Sequence, residues 1–140
     1  MFVRFQSAVP NRRGTFPGIF AMANGLRDAG VLSPEDDRWV RRMNAHGERA
    51  YTDPSTVVAD CYDRERNPGA RSWFRESADE LLAIARAYTQ LLDRSHVPWS
   101  ELRTSTPGRI VYADSVQVVA VPFTHAQDWP LPVSTRPRSG

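Results

Sequence analysis

The chain reads as an α+β domain: a small antiparallel sheet, made from an N-terminal strand and a C-terminal hairpin, with about three helices on one face. Three observations lead there. Residues 2–6, Phe-Val-Arg-Phe-Gln, alternate apolar and polar at the period of a half-buried strand. Arg109–Ala113 and Val116–Val121 are short β-prone runs separated by Asp114-Ser115, the pattern of a hairpin. Between these ends, Leu81, Ile84, Ala85, Tyr88, Leu91 and Leu92 recur at steps of three and four and form one apolar helical stripe.

In chain order, the first strand should turn Val3 and Phe5 to one face and Arg4 and Gln6 to the other. After a loop over Ala8–Thr15, Pro17 suits a first helical position, and a stripe of Ile19, Met22, Ala23 and Leu26 runs to a stop at Gly30. A second helix opens at Ser33, with Pro34 in its first turn and Glu35, Asp36 and Asp37 at its positive end. Trp39, Val40 and Met43 are its expected buried face and Gly47 its end. Over Ala50–Ala70 the signals are sparse: a turn at Asp53-Pro54, a short strand at Val57-Val58, and a firm turn at Asn67-Pro68-Gly69. Ser72–Arg75 reads as extended.

The main helix is expected over residues 77–94. Ser77 and Glu80 fit a capping box, Arg94 and His96 sit at the basic-preferring end, and Pro98 forbids continuation. Trp99–Arg103 reads as a short strand and Pro107-Gly108 as the turn before the hairpin. Pro122, Pro130, Pro132 and Pro137, with no periodicity between them, predict a single globular domain over residues 1–121 and a Pro-rich flexible tail over 122–140. Trp129 in that tail has the surroundings of a short docking peptide; an ordered strap over the core and plain disorder are the alternatives.

Composition excludes several classes. With 140 residues, 41% hydrophobic and 24% charged, the chain is an ordinary globular length and mixture. No run approaches the ~18 apolar residues of a membrane span, and no secretory pattern opens the chain, so the cytoplasm is the expected compartment. Cys61 is the only cysteine, which rules out an intrachain disulfide. All 18 basic residues are arginine; codon usage in a GC-rich genome is the plain explanation, and every cation is then a planar fork suited to carboxylate or phosphate. Net charge is only +2 and no segment concentrates it, so nucleic-acid binding ranks third, behind ligand binding and protein interaction. Residues 16–45 can be read as helix–turn–helix, but Glu35, Asp36 and Asp37 would meet phosphates at the start of the second helix.

The densest set of ligand-holding groups is Arg64, Arg66, Arg71 and Arg75 around the Pro-Gly turn, with Trp73 and Phe74 as a stacking wall. Interleaved Asp60, Asp63, Glu65 and Glu76 support the competing reading of surface ion pairs. The expected ligand set is Arg71, Trp73, Arg75, Gln6, Arg4 and Gln117, with Arg71 and Arg75 on an anion, Trp73 stacking, and the polar sheet residues directing hydrogen bonds. On this expectation Arg4, Gln6, Gln117 and Tyr112 line one open sheet face; the alternative is a solvated, uncovered sheet. Should the domain be an enzyme, Asp63, Glu76, Tyr112 and Asp114 are the acid–base candidates, unranked. Cys61 with His46 or His96 forms no recognisable nucleophile signature, histidines at 46, 96 and 125 show no metal spacing, and there is no phosphate-binding glycine loop, so neither metal nor cofactor is expected.

The segments VRFQSAVPN, YDRERNPGARSWF and PGRIVYADSVQVVAVP together resemble a group of short uncharacterised proteins from GC-rich bacteria. The resemblance covers about Met1–Pro122 and carries no activity, cofactor or catalytic residue with it. The leading expectation is therefore a small cytoplasmic domain that binds, and can transform, a small anionic or aromatic ligand. The alternative is a non-catalytic protein-interaction or homodimerising module.

Overall fold

A computed structural model describes residues 1–123 and, as a strand, Ser134–Arg138. The elements are β1 (Phe2–Ser7), α1 (Ile19–Asp28), α2 (Pro34–Ala50), β2 (Arg71–Arg75), α3 (Asp79–Arg94), β3 (Trp99–Thr104), β4 (Arg109–Ala113), β5 (Gln117–Val121) and β6 (Ser134–Arg138). The fold is α+β. The sheet runs β4-β5-β2-β1-β3-β6, with β1–β2, β2–β5 and β4–β5 antiparallel. The N-terminal strand and the C-terminal hairpin are both in it, and β2 lies between them. Apart from β6, the expected tail beyond Phe123, Trp129 included, lies outside the described residues. No helix among the described residues is long and apolar enough to cross a membrane.

The chain divides into two compact units. The first holds Met1–Arg4, Asp53–Leu82 and the described part of Leu102–Thr135. Apolar residues cluster on both faces of its strands. On one, Trp73, Leu102, Val118 and Ala120 pack with Phe2; on the other, Val119 and Tyr112 pack with Cys61, Val58 and Ala70. The predicted strand at Val57-Val58 does not form; these residues follow a single 3-10 turn at Pro54–Thr56, which Asp53 caps by accepting from Ser55 N at 3.0 Å. The Asn67-Pro68-Gly69 turn forms as expected, closed by Ala70 N donating to Asn67 O at 3.1 Å.

The second unit contains Phe5–Thr52 and Ala83–Glu101. Tyr88 of α3 ties it together. Its ring meets Phe20 of α1 edge-on at 4.7 Å and Trp39 of α2 at 4.9 Å. Its hydroxyl donates to Asn44 Oδ1 at 2.9 Å, and Asn44 Nδ2 donates to Asn24 Oδ1 at 2.7 Å, so the three helices share one polar chain inside an apolar contact.

Helix ends follow local chemistry. Ser33 accepts from Asp36 N at 3.0 Å and caps α2 as expected, while the helix runs through Gly47 to Ala50. At the end of α1, Val31 N donates to Leu26 O and Gly30 N to Arg27 O, with Gly30 at φ 71°, a Schellman ending. The main helix starts later than the capping-box reading required. Its first backbone bond, Leu82 N to Ala78 O, puts Ala78 at the cap position and Ser77 one residue before it.

Candidate functional site

Register decides which side chains share a surface. Directly paired residues of antiparallel strands point the same way, and neighbours along a strand point oppositely. The pair Phe2–Arg75 puts Phe2, and hence Arg4, on the face of Arg71, Trp73 and Arg75. Trp73–Val118 and Arg71–Ala120 add the apolar residues of β5 to that face. Phe74–Gln117 and Tyr112–Val119 place Gln117 and Tyr112 on the opposite one.

The predicted grouping of Arg4, Gln6, Gln117 and Tyr112 on one open face is therefore corrected. Arg4 is on the other side from Gln117 and Tyr112, and all four are buried, at 8, 2, 9 and 8% exposure. Insertion of β2 between β1 and β5 sets this arrangement, because it fixes the register that relates the two ends of the chain. The expected arginine loop is likewise a strand in its second half. Arg64 and Arg66 stay exposed, Arg66 pairing with Asp60 at 3.1 Å, while Arg71 and Arg75 belong to β2.

Two groupings result. Around the hairpin turn, Asp114 Oδ1 accepts from Val116 N and Gln117 N, each at 2.9 Å, and its Oδ2 accepts from Tyr112 OH at 2.7 Å. Arg75 Nε donates to the Asp114 carbonyl at 2.7 Å while its guanidinium lies over the Phe2 ring. Burial pushes the Asp114 pKa up, but the hydrogen bonds from Tyr112, Val116 and Gln117 outweigh it and hold the carboxyl below its usual value. An ionised carboxylate so occupied shapes a turn. Asp63 does the same at an exposed loop, accepting from Glu65 N and Arg66 N. Glu76 is exposed and pairs with the N-terminus at 3.9 Å and Arg103 at 3.4 Å. Neither joins a shared site with Tyr112 and Asp114.

The second grouping is Arg4, Arg71 and Trp73, each under 9% exposed. The Arg71 guanidinium carbon lies 5.8 Å from the centroid of the Trp73 ring, and Arg4 NH1 donates to Ser72 O at 3.0 Å. Burial lowers the Arg4 pKa to about 10. Burial, and then the charge of Arg4, lowers that of Arg71 to about 7. Holding two neighbouring charges out of water is costly, and a negative charge beside them would offset that cost. Trp73 Nε1 is buried and, among the described residues, has no hydrogen-bond partner. Tyr62, 44% exposed and hydrogen-bonded to the Ser72 side chain, lies near enough to Arg4 for their charges to interact. Sequence reasoning passed over Tyr62, since only the folding-back of residues 53–70 brings it there. Gln6, on the same side of β1 as Arg4, belongs to the second unit, where its backbone bridges to Gly18.

Cys61 is fully buried against Val119 and Tyr112, and burial together with Asp53 and Asp60 raises its thiol pKa, the opposite of an activated nucleophile. Among the described residues no three His, Cys, Asp or Glu side chains gather as a metal-binding group. A cleft of about 580 Å³ opens elsewhere, against α2 and the end of α3. No protein-family model, curated protein or solved structure matches the chain.

Proposed function

We propose that the chain is a small cytoplasmic binding domain whose ligand, small and anionic or flat and aromatic, is held on the sheet face carrying Arg4, Arg71 and Trp73. The observation that carries this reading is the Trp73 indole N–H, wholly buried beside a guanidinium and without an acceptor among the described residues. A buried donor left unmet costs about 1–3 kcal/mol. Guanidinium and indole groups donate and cannot accept, so the complementary ligand is rich in acceptors: a carboxylate, a phosphate, or a ring bearing either. The compartment is inferred from the single cysteine, which is free and buried.

The test is a thermal-shift screen of nucleotides, sugar phosphates and aromatic acids against the native chain, Arg71→Met and Trp73→Phe. A ligand at ~100 times its dissociation constant adds about 2.7 kcal/mol, a shift of a few degrees at this size. Arg71→Met is expected to be at least as stable as the native chain without ligand, because replacing a buried charge by an apolar side chain is often neutral or favourable. It should lose the ligand shift, and Trp73→Phe should reduce it. An equal shift in Arg71→Met sinks the assignment.

A homodimer is the second reading, and one observation favours it: Ile110 is 47% exposed on β4, an edge strand of the sheet. Val119 and Val121 of the neighbouring strand are buried within the chain, which leaves Ile110 as the residue to test. Light scattering that shows a dimer in the native chain and a monomer in Ile110→Lys would establish this reading; a native monomer ends it.

A further inference from the structure

The cleft against α2 and α3 has no part in the preceding reading. Trp39 lines it, partly exposed and with its ring packed against that of Tyr88. Arg38 and Arg42 line it from one turn apart on the same side of α2. Both are exposed, and among the described residues neither makes a hydrogen bond or ion pair. Arg94 also lines it but is already engaged, donating to Asp36 Oδ1 at 2.9 Å. That bond joins the end of α3 to the start of α2 and makes one wall of the cleft. Glu35 is the remaining lining carboxylate, so two unengaged cations face one unengaged anion.

We propose that this cleft is a binding site for a small aromatic ring carrying one anionic group, a carboxylate or a phosphate. About 580 Å³ is ample for one such ring, since ligand pockets span roughly 300–1,000 Å³. The ring stacks on the exposed part of Trp39, and its anionic group takes charge-assisted hydrogen bonds from Arg38 and Arg42. A polyanion is disfavoured by Glu35 and Asp36, which selects a ligand with charge at one end only.

Phenyl phosphate is the probe, titrated into the full chain while the tryptophan indole N–H signals are followed by NMR, Trp39 being assigned by its loss in Trp39→Phe. The Trp39 signal is expected to move saturably at millimolar probe or below. The double variant Arg38→Gln, Arg42→Gln should keep the native helix content, since both side chains are exposed. It should bind about tenfold or more weakly, the loss of charge-assisted hydrogen bonds. Unmoved Trp39 at millimolar probe, equal affinity in the double variant, or equal affinity for uncharged phenol would each overturn the proposal. A response of Trp73 alone would do the same while favouring the sheet-face site, so the two assignments fail separately.

Discussion

The Tyr112 hydroxyl donates to Asp114 Oδ2 at 2.7 Å, joining two residues that are both acid–base candidates by type into one structural contact. Asp114 accepts two backbone N–H groups as well, so the hairpin turn depends on its charge. Tyr112→Phe is expected to cost about 1 kcal/mol and Asp114→Ala about 2 kcal/mol, read by denaturant unfolding.

The pH dependence follows from the same carboxyl. Its folded pKa lies below the ordinary value, so its contribution is complete above the unfolded pKa of about 4 and is lost as pH falls through the lower folded value. Acid unfolding curves of native protein and Asp114→Asn should therefore converge at low pH. Parallel curves would assign the acid sensitivity to other carboxylates.

Gly108 has φ 137°, and a Cβ placed on it would run into the Val121 carbonyl. Neither the backbone conformation nor the approach of β5 admits a side chain. Gly108→Ala is expected to destabilise by about 3 kcal/mol or more, or to prevent folding, and a midpoint within a degree or two of native would show that the hairpin can shift to accommodate it.

His96 occupies the position at the end of α3 that Gly30 holds after α1. Val97 N donates to Leu92 O and His96 N to Asp93 O, the same Schellman pair, but with a side-chain-bearing residue at φ 58°. His96→Gly relieves that conformation and is expected to stabilise by about 0.5–1 kcal/mol, as a raised thermal midpoint. A lowered midpoint would reveal a favourable contact of the imidazole larger than the backbone strain.

Tyr88 titrates late. Burial pushes its pKa up to about 12, against which the charge of Arg27 acts weakly. A raised folded pKa means its contribution is intact below the unfolded value of about 10 and is lost as pH rises toward the folded one. Stability should fall above pH ~10. Tyr88→Phe should lose about 1 kcal/mol at neutral pH and show a shallower alkaline decline, the remainder coming from Tyr62, whose pKa burial also raises to about 12.

What the sequence determined by itself is local. The stripe from Leu81 to Leu92, the Ser33 cap with its acidic first turn, the Gly30 ending, the Asn67-Pro68-Gly69 turn and the hairpin at Asp114 each rest on interactions within a few residues, and each stands where it was read. Across distance the sequence was silent. Alternation shows that Arg4 and Val3 part company, but whether Gln117 joins Arg4 depends on two successive registers, Phe2 with Arg75 and Phe74 with Gln117, and a shift of one residue in either reverses the faces. Only the tertiary structure, by inserting Arg71–Arg75 between β1 and β5, put Arg4 with Arg71 and Trp73 and sent Gln117 and Tyr112 to the other side. The cleft at Trp39 was hidden for the same reason, since its wall requires Arg94 to reach Asp36 across 58 residues of chain.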